Sequence, residues 1–423
     1  KNITGTFGLQ ELVNAVRLPR RIILMVKAGK PLDEFIDQLA PLLAPGDILV
    51  DGGNSHFQDT ERREKKLREQ NILYIGTGVS GGEEGALRGP SIMPGGSPEA
   101  YAALAPVLAA IAARVHDEPC CAYIGPGGAG HFVKMVHNGI EYGIMQLIAE
   151  TYDFLSRGPG LAADRIADII EDWNSGDLNS YLLEITGIIL RRKDPKSGVS
   201  LVELILDTAA QKGTGKWTSQ SAFDLGVPVP TINAAVEARI LSALKSERTV
   251  AATLLPGPQN RLREEDWIQV TRDALQASII TSYAQGLALI QAGSTEYNYG
   301  IRLEEVAKLW RGGCIIRAAM LEPIREALHQ ESGLVNLMTV RPFSDELARC
   351  QPNLRKYVAT AADLGLPCMA MSASLGYYDS YRQPRLPANL IQAQRDFFGA
   401  HTYHRTDREG TFHTQWTDGD DPR

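Results

Sequence analysis

Asp47-Ile-Leu-Val-Asp-Gly-Gly-Asn54 is the stretch whose reading decides the fold. A short apolar run that stops at Gly-Gly-Asn reads as a buried strand followed by a turn. On its N-terminal side, Leu32 to Leu43 has the periodicity of an amphipathic helix, and Arg21-Ile-Ile-Leu-Met-Val26 reads as another strand. On its C-terminal side, Thr60 to Gln70 is a charged helix and Asn71-Ile-Leu-Tyr-Ile-Gly76 a third strand. Strands alternating with helices predict an α/β domain built on a parallel sheet with crossover connections. Ligands bind such sheets at the carboxyl ends of the strands. Those ends carry Val26-Lys27-Ala28-Gly29, Asp51-Gly52-Gly53-Asn54 and Gly76-Thr77-Gly78-Val79-Ser80-Gly81-Gly82. Glycine there lets a phosphate or a nicotinamide approach the backbone. For any single loop simple turn chemistry serves as well; three in succession point to a site.

From about residue 128 the pattern becomes helical and stays so to about residue 380. Helices are predicted over 150–155, 163–173, 181–190, 202–210, 232–245, 268–292, 303–311 and 314–329. Polar breaks such as Arg192-Lys-Asp-Pro-Lys-Ser-Gly198 and Pro256-Gly-Pro258 separate them. No short-period repeat is visible. The last stretch, from Leu386-Pro387, is polar and aromatic and ends on Asp418-Gly-Asp-Asp421. It is either disordered or docked on something, with too few apolar residues to fold alone. Three regions follow: residues 1–127, an α/β domain; residues 128–387, an all-α domain; and residues 388–423, a tail.

The chain has 423 residues, too many for one ordinary core. A hydrophobic share of 44% and a charged share of 22% suit a soluble globular protein. The net charge of −7 argues against nucleic acid as a partner but leaves room for a local basic pocket. Five cysteines, without framework or zinc spacing, fit a reducing cytoplasm and no metal site. No apolar run reaches membrane-spanning length, and no signal peptide is visible. Asn2-Ile-Thr4 is a formal glycosylation sequon without weight in that setting.

The segment His131-Phe-Val-Lys-Met-Val-His-Asn-Gly-Ile-Glu-Tyr142 carries the chemistry. On a helix, Lys134, Asn138 and Glu141 fall at i, i+4 and i+7 and share one face. Phe132, Val133, Met135, Val136 and Ile140 surround that stripe. A helix lining a dry polar cavity has this pattern, and a lysine there loses basicity and becomes a general base. An ordinary Lys–Glu stripe facing solvent is the alternative. Gly125-Pro-Gly-Gly-Ala-Gly130 formally matches the dinucleotide fingerprint, but it follows the α/β units rather than opening them. A tight entry into the Lys134 helix is the better reading. Gly213-Thr-Gly-Lys216 hints at a phosphate loop, but Ala210 and Trp217 break the Walker pattern.

Four blocks together resemble the 6-phosphogluconate dehydrogenase family. They are Gly78-Val-Ser-Gly-Gly-Glu-Glu-Gly-Ala-Leu-Arg-Gly-Pro-Ser-Ile-Met-Pro-Gly-Gly96, Gly130 to Gly143, Lys212-Gly-Thr-Gly-Lys-Trp-Thr-Ser-Gln220, and Leu386 to Tyr403. They stand in order and span essentially the whole chain. The resemblance implies NADP-dependent oxidative decarboxylation of 6-phosphogluconate to ribulose 5-phosphate, a step of the pentose phosphate pathway and of gluconate utilization, without a metal. It implies Lys134 as general base and Glu141 as the acid that protonates C1. It places Asn54, His137 and Asn138 on the substrate, and Ser80, Gly81 and Gly82 at its carboxylate end. Its phosphate would fall to Tyr142, Lys212, Thr214, Arg239 and, from a partner subunit's tail, Arg395 and His401. Val26, Lys27, Ala28 and Asn54 would hold the cofactor. A homodimer with exchanged tails is implied as well.

One departure is large. The family begins with a strand, a glycine-rich turn, a helix and a strand that reads the 2′-phosphate of NADP. Lys1 stands roughly 50 residues into that pattern, about one and a half βα units in. The expectation is therefore that the glycine-rich N-terminal part of the nucleotide-binding domain is missing and that NADP binds poorly. Ile144 is a smaller departure, where the family pattern usually has Asp. Three readings result: an active dehydrogenase of which this sequence is a part, a truncated paralogue that dimerises and binds sugar phosphate without redox chemistry, or a helical scaffold with structural glycine loops.

Overall fold

The computed structural model describes residues 3–260, 262, 267–331 and 333–417. The acidic end 418–421 lies outside them, as does Asn2 of the sequon. The chain divides into two compact units, one through Leu375 and one from Gly376.

The first unit opens with α1 (Leu9–Ala15), β1 (Arg21–Leu24), α2 (Lys30–Leu39), β2 (Ile48–Asp51), α3 (Phe57–Arg68) and β3 (Leu73–Ser80). Then come α4 (Gly82–Arg88), β4 (Ser91–Gly96), α5 (Pro98–Ile111) and the small β5–β6 ribbon (Arg114–Val115, Glu118–Pro119). The sheet order is β1-β2-β3-β4. β1, β2 and β3 are parallel, with Ile22 beside Leu49 and Val50 beside Ile75. Every residue of β2 is buried, as a central strand covered on both faces requires. On one face Ile22, Leu24, Leu49 and Tyr74 pack on Leu32, Ile36 and Leu39 of α2 and Leu67 of α3. On the other, Ile48, Val50, Ile75 and Ile92 pack on Ala100, Leu104 and Leu108 of α5. Alternate residues of each strand thus serve opposite layers.

The sheet differs from expectation at its fourth strand. The glycine run 76–80, read as a loop, is the second half of β3, and it pairs antiparallel with β4, with Thr77 opposite Pro94. Pro94 is tolerated because its backbone faces away from that ladder, where its carbonyl accepts from Ile124 N at 2.8 Å. The glycines are there for the helix above. A Cβ on Gly78 would lie 2.4 Å from Lys134 Cβ, and one on Gly130 would lie 2.3 Å from the Met93 carbonyl. Gly125-Pro-Gly-Gly-Ala-Gly130 is accordingly the close entry into the Lys134 helix.

That helix, α6 (Ala129–Arg157), runs 29 residues. It is followed by α7 (Ala163–Asn174), α8 (Tyr181–Arg191), α9 (Leu201–Leu204), α10 (Thr214–Asp224), α11 (Pro230–Ala243), α12 (Lys245–Leu254), α13 (Trp267–Glu296), α14 (Leu303–Trp310), α15 (Leu321–Gln330), α16 (Phe343–Leu364) and α17 (Met369–Tyr381). α6 and the 30-residue α13 form the spine, flanked by α10, α11 and α16. Two predicted helices shrink. The helix predicted over 202–210 stops at Leu204, because Ile205 and Leu206 are exposed and find no core face in this chain. The helix predicted over 314–329 begins only at Leu321. Residues 314–320 turn instead, and their carbonyls serve neighbours: Ile316 O accepts from Tyr283 OH at 2.9 Å and Arg317 O from Tyr181 N at 3.0 Å. Ile144 is buried beside Leu178, Leu182 and Ile279, an apolar setting in which Asp would be costly.

The second unit contains α18 (Ala388–Gly399) and the hairpin β7–β8 (Tyr403–His404, Thr411–Phe412). This stretch, read as disordered or docked on something, has a helix and a hairpin despite its few apolar residues. Its organiser is polar: the buried Asp396 carboxylate accepts from Thr402 N, His413 Nδ1, Thr414 N and Trp416 Nε1. No helix among the described residues is long and apolar enough to cross a membrane.

Candidate functional site

α6 lies across β3 and β4 with its polar stripe turned to the end of β3 and the start of α10. Lys134 is only 6% exposed. Burial lowers its pKa to about 8, against the opposing pull of Glu141. Its Nζ is 3.4 Å from His137 Nδ1. His137 is fully buried, and burial with the Lys134 charge holds it well below its ordinary value, so the ring is neutral. His137 Nε2 lies 3.2 Å from Ser80 Oγ, and Nδ1 3.1 Å from Asn138 Oδ1. Asn138 Nδ2 donates to Thr214 Oγ1 at 3.1 Å. Glu141 stands 3.8 Å from His137, and burial raises its carboxyl despite Lys134 and Arg239. A depressed base and an elevated acid thus share one helix face, a pairing suited to successive proton transfers.

Around this centre, Gly81 and Gly82 take positive φ values of 122° and 58° where β3 turns into α4. A Cβ on Gly81 would strike the Gly313 carbonyl at 2.5 Å. The Arg239 guanidinium lies 3.5 Å over the Tyr142 ring, and Gly215 leaves room for that ring, which a Cβ there would approach to 2.6 Å. Lys212 is exposed just ahead of α10. Lys134, His137, Asn138, Glu141, Ser80 and Thr214 are therefore one connected cluster, with Tyr142 and Arg239 adjoining. Arg395 and His401 belong to the second unit and are exposed there.

Val26, Lys27, Ala28 and Asn54 follow the carboxyl ends of β1 and β2. The two loops touch: a Cβ on Gly53 would lie 3.2 Å from the Val26 carbonyl. Lys27 and Asn54 are exposed at this lip, where they fit the edge of a dinucleotide. The described residues hold no cluster of three or more His, Cys, Asp or Glu that could bind a metal.

Four residues escaped the sequence. Asp51, at the end of β2, accepts from Gly53 N (3.0 Å), Ser55 Oγ (2.6 Å) and Tyr74 OH (3.0 Å), with Arg63 Nη1 at 3.6 Å. It fixes the loop that carries Asn54. Trp310 stands edge-on to His137 at 5.5 Å. Cys314, which donates to the Trp310 carbonyl, is buried within electrostatic reach of Lys134. Arg63 had looked like one of many charges on α3, and only the fold shows it to be 2% exposed.

Comparison with known proteins gives the chain's family. Residues 1–125 match the model of the NAD binding domain of 6-phosphogluconate dehydrogenase, and residues 130–416 match that of the 6-phosphogluconate dehydrogenase C-terminal domain. The NADP(+)-dependent decarboxylating 6-phosphogluconate dehydrogenase of Bacillus subtilis is 54% identical over 98% of this chain and 89% of its own length. An NAD(+)-dependent decarboxylating enzyme from the same organism is 50% identical over 99% of this chain and 90% of its own. Plasmodium falciparum 6-phosphogluconate dehydrogenase, solved in apo form and in complex with NADP+ and with 6-phosphogluconate, superposes with a TM-score of 0.92. It is 44% identical and covers 97% of this chain and 88% of its own. Against the expectation of an incomplete nucleotide-binding domain, residues 1–125 match the model of the NAD binding domain. With both domain models matched and about half the residues identical across nearly the whole chain, the protein belongs to the 6-phosphogluconate dehydrogenase family.

Proposed function

We propose that this chain catalyses NADP-dependent oxidative decarboxylation of 6-phosphogluconate to ribulose 5-phosphate and carbon dioxide. The observation that carries the reading is the pair on α6: a buried Lys134 with a pKa of about 8 beside a Glu141 whose carboxyl is raised. Neutral Lys134 takes the C3 hydroxyl proton. NADP, when bound, supplies the acceptor for the C3 hydride. In the resulting 3-keto acid the new carbonyl accepts the electron pair of the breaking C1–C2 bond, so carbon dioxide leaves. Protonated Lys134 stabilises the developing oxyanion, and Glu141 then delivers a proton to C1 of the enediol product. Neutral His137, fixed through Ser80 and Asn138, orients the substrate hydroxyls without adding a competing charge.

In this reading Asn54 also touches substrate, and Ser80, Gly81 and Gly82 surround its carboxylate end. Tyr142, Lys212, Thr214 and Arg239 take the phosphate, a dianion that needs several donors. Val26, Lys27, Ala28 and Asn54 hold the nicotinamide end of the cofactor. Residues 1–127 form the cofactor domain, 128–387 the substrate and dimer domain, and 388–423 the tail. The tail's Arg395 and His401 complete the phosphate site of a partner subunit in a homodimer. Exposed Ile188, Leu204, Ile205, Leu206, Leu254 and Leu255 on and beside α8, α9 and α12 support such an interface. The cysteines are all free, in keeping with a cytoplasmic enzyme. The alternative of a sugar-phosphate binder without redox activity is not favoured, because the match runs through the NAD binding domain.

The test is stoichiometry. Purified protein given 6-phosphogluconate and NADP should release one carbon dioxide per NADPH formed. Reduction of NADP without carbon dioxide, or no turnover with either NADP or NAD, overturns the proposal.

A further inference from the structure

The second unit gives His401 an unusual setting. Its two neighbours, Ala400 and Thr402, have positive φ values of 48° and 60°. Neither is glycine, and Thr402 is β-branched, so the left-handed backbone on both sides of His401 is strained. Such strain persists only where the surroundings hold it in place. Both backbone groups of Thr402 are tied. Its N–H donates to Asp396 Oδ1 at 2.9 Å, and its carbonyl accepts from Gln392 Nε2 at 2.6 Å. Gln392 Oε1 in turn accepts from Arg395 Nη1 at 3.1 Å. Asp396 is wholly buried, and its other contacts reach the far side of the hairpin. Oδ1 also accepts from His413 Nδ1 at 2.9 Å, and Oδ2 from Thr414 N at 3.0 Å and Trp416 Nε1 at 2.8 Å. Burial pushes this carboxyl up, but the bonds from His413, Thr414 and Trp416 outweigh that and hold it at about 2.

We infer that Asp396 is a positioning residue for phosphate recognition: one carboxylate gathers α18, the strained turn and the segment after β8, and so sets where His401 and Arg395 are presented. This rests on the reading of Arg395 and His401 as phosphate ligands. The charge matters, not only the shape. Asparagine at 396 would keep one acceptor oxygen but turn an NH2 group toward two N–H donors. Glycine at 402 would remove the strain and slacken the turn without a new clash.

Four variants of the full chain decide it: Arg395→Ala, Asp396→Asn, Thr402→Gly, and the Arg395→Ala/Asp396→Asn double. Arg395→Ala should raise KM for 6-phosphogluconate about ten-fold or more. Asp396→Asn should raise it comparably, with kcat and KM for NADP within about two-fold, and the double should be no worse than Arg395→Ala by more than about two-fold. Thr402→Gly should raise the same KM by roughly three-fold or more at unchanged thermal stability. If Arg395→Ala raises KM but Asp396→Asn and Thr402→Gly do not, the positioning role is wrong. If Asp396→Asn lowers kcat and worsens both KM values alike, Asp396 is merely structural and the inference also fails. If Arg395→Ala leaves KM unchanged, the phosphate reading beneath it fails instead. Should Asp396→Asn not fold, Thr402→Gly decides alone, by whether KM for 6-phosphogluconate rises.

Discussion

A buried ammonium costs stability whenever it is charged, and Lys134 is charged below about pH 8. Between about pH 8 and its ordinary 10.5 the unfolded chain holds a proton that the folded chain has lost. Stability from this group therefore rises with pH across that window, and below it the full penalty remains. The shift corresponds to roughly 3 kcal/mol. Lys134→Met should accordingly raise the melting temperature at pH 7, with the advantage shrinking toward pH 10.5, while turnover falls about 10²–10⁴-fold. The native enzyme's kcat/KM should climb through about pH 8 as Lys134 loses its proton. Lys134→Arg, whose guanidinium stays protonated, should lack that rise along with the activity. A Met variant that is both active and no more stable would return Lys134 to a structural role. The stripe itself was legible, because helical spacing alone puts Lys134, Asn138 and Glu141 on one face. Cys314 and Trp310 were not, since they reach the stripe through a turn far along the chain.

At the scale of elements, β3 and β4 explain a misreading. Composition assigns Gly76-Thr-Gly-Val-Ser80 to a loop, because glycine weakens strands. Here the absence of side chains lets α6 sit directly on the sheet, so tertiary packing overrides propensity. Gly78→Ala tests this. Its Cβ would meet Lys134 Cβ at 2.4 Å and the Gly130 carbonyl at 3.0 Å, and neither neighbour is the loose end of a side chain. The variant should lose about 1–3 kcal/mol in denaturant unfolding. It should also lose a larger share of kcat than of substrate affinity, because Lys134 is what gets displaced. Wild-type stability and kcat in this variant would show that the helix and strand can part without consequence. By contrast, β1, β2, the first half of β3 and α2 were readable, since alternating burial on a covered sheet writes itself into the order of apolar residues.

At the scale of the molecule, the chain leaves apolar side chains uncovered on and beside α8, α9 and α12 and folds its last residues around a carboxylate. Nothing in the residue order marks that polar organiser, because Asp396 looks like any helical aspartate until its four donors converge. Shared sites can be tested by co-expressing a Lys134→Met protomer with an Arg395→Ala protomer. In a random mixture half the dimers are mixed, and each mixed dimer has one site with an intact lysine and an intact tail. With 6-phosphogluconate held well below its KM, activity should return to about a quarter of wild type. Mixed dimers that form but stay at the level of either parent would mean that each tail serves its own subunit. The separate fold of the tail then has a consequence for heredity. Mutant alleles damaged in α6 and alleles damaged in α18 would restore growth when brought together in one cell, while two alleles of the same kind would not. A geneticist mapping them by complementation would count two genes where the chromosome carries one.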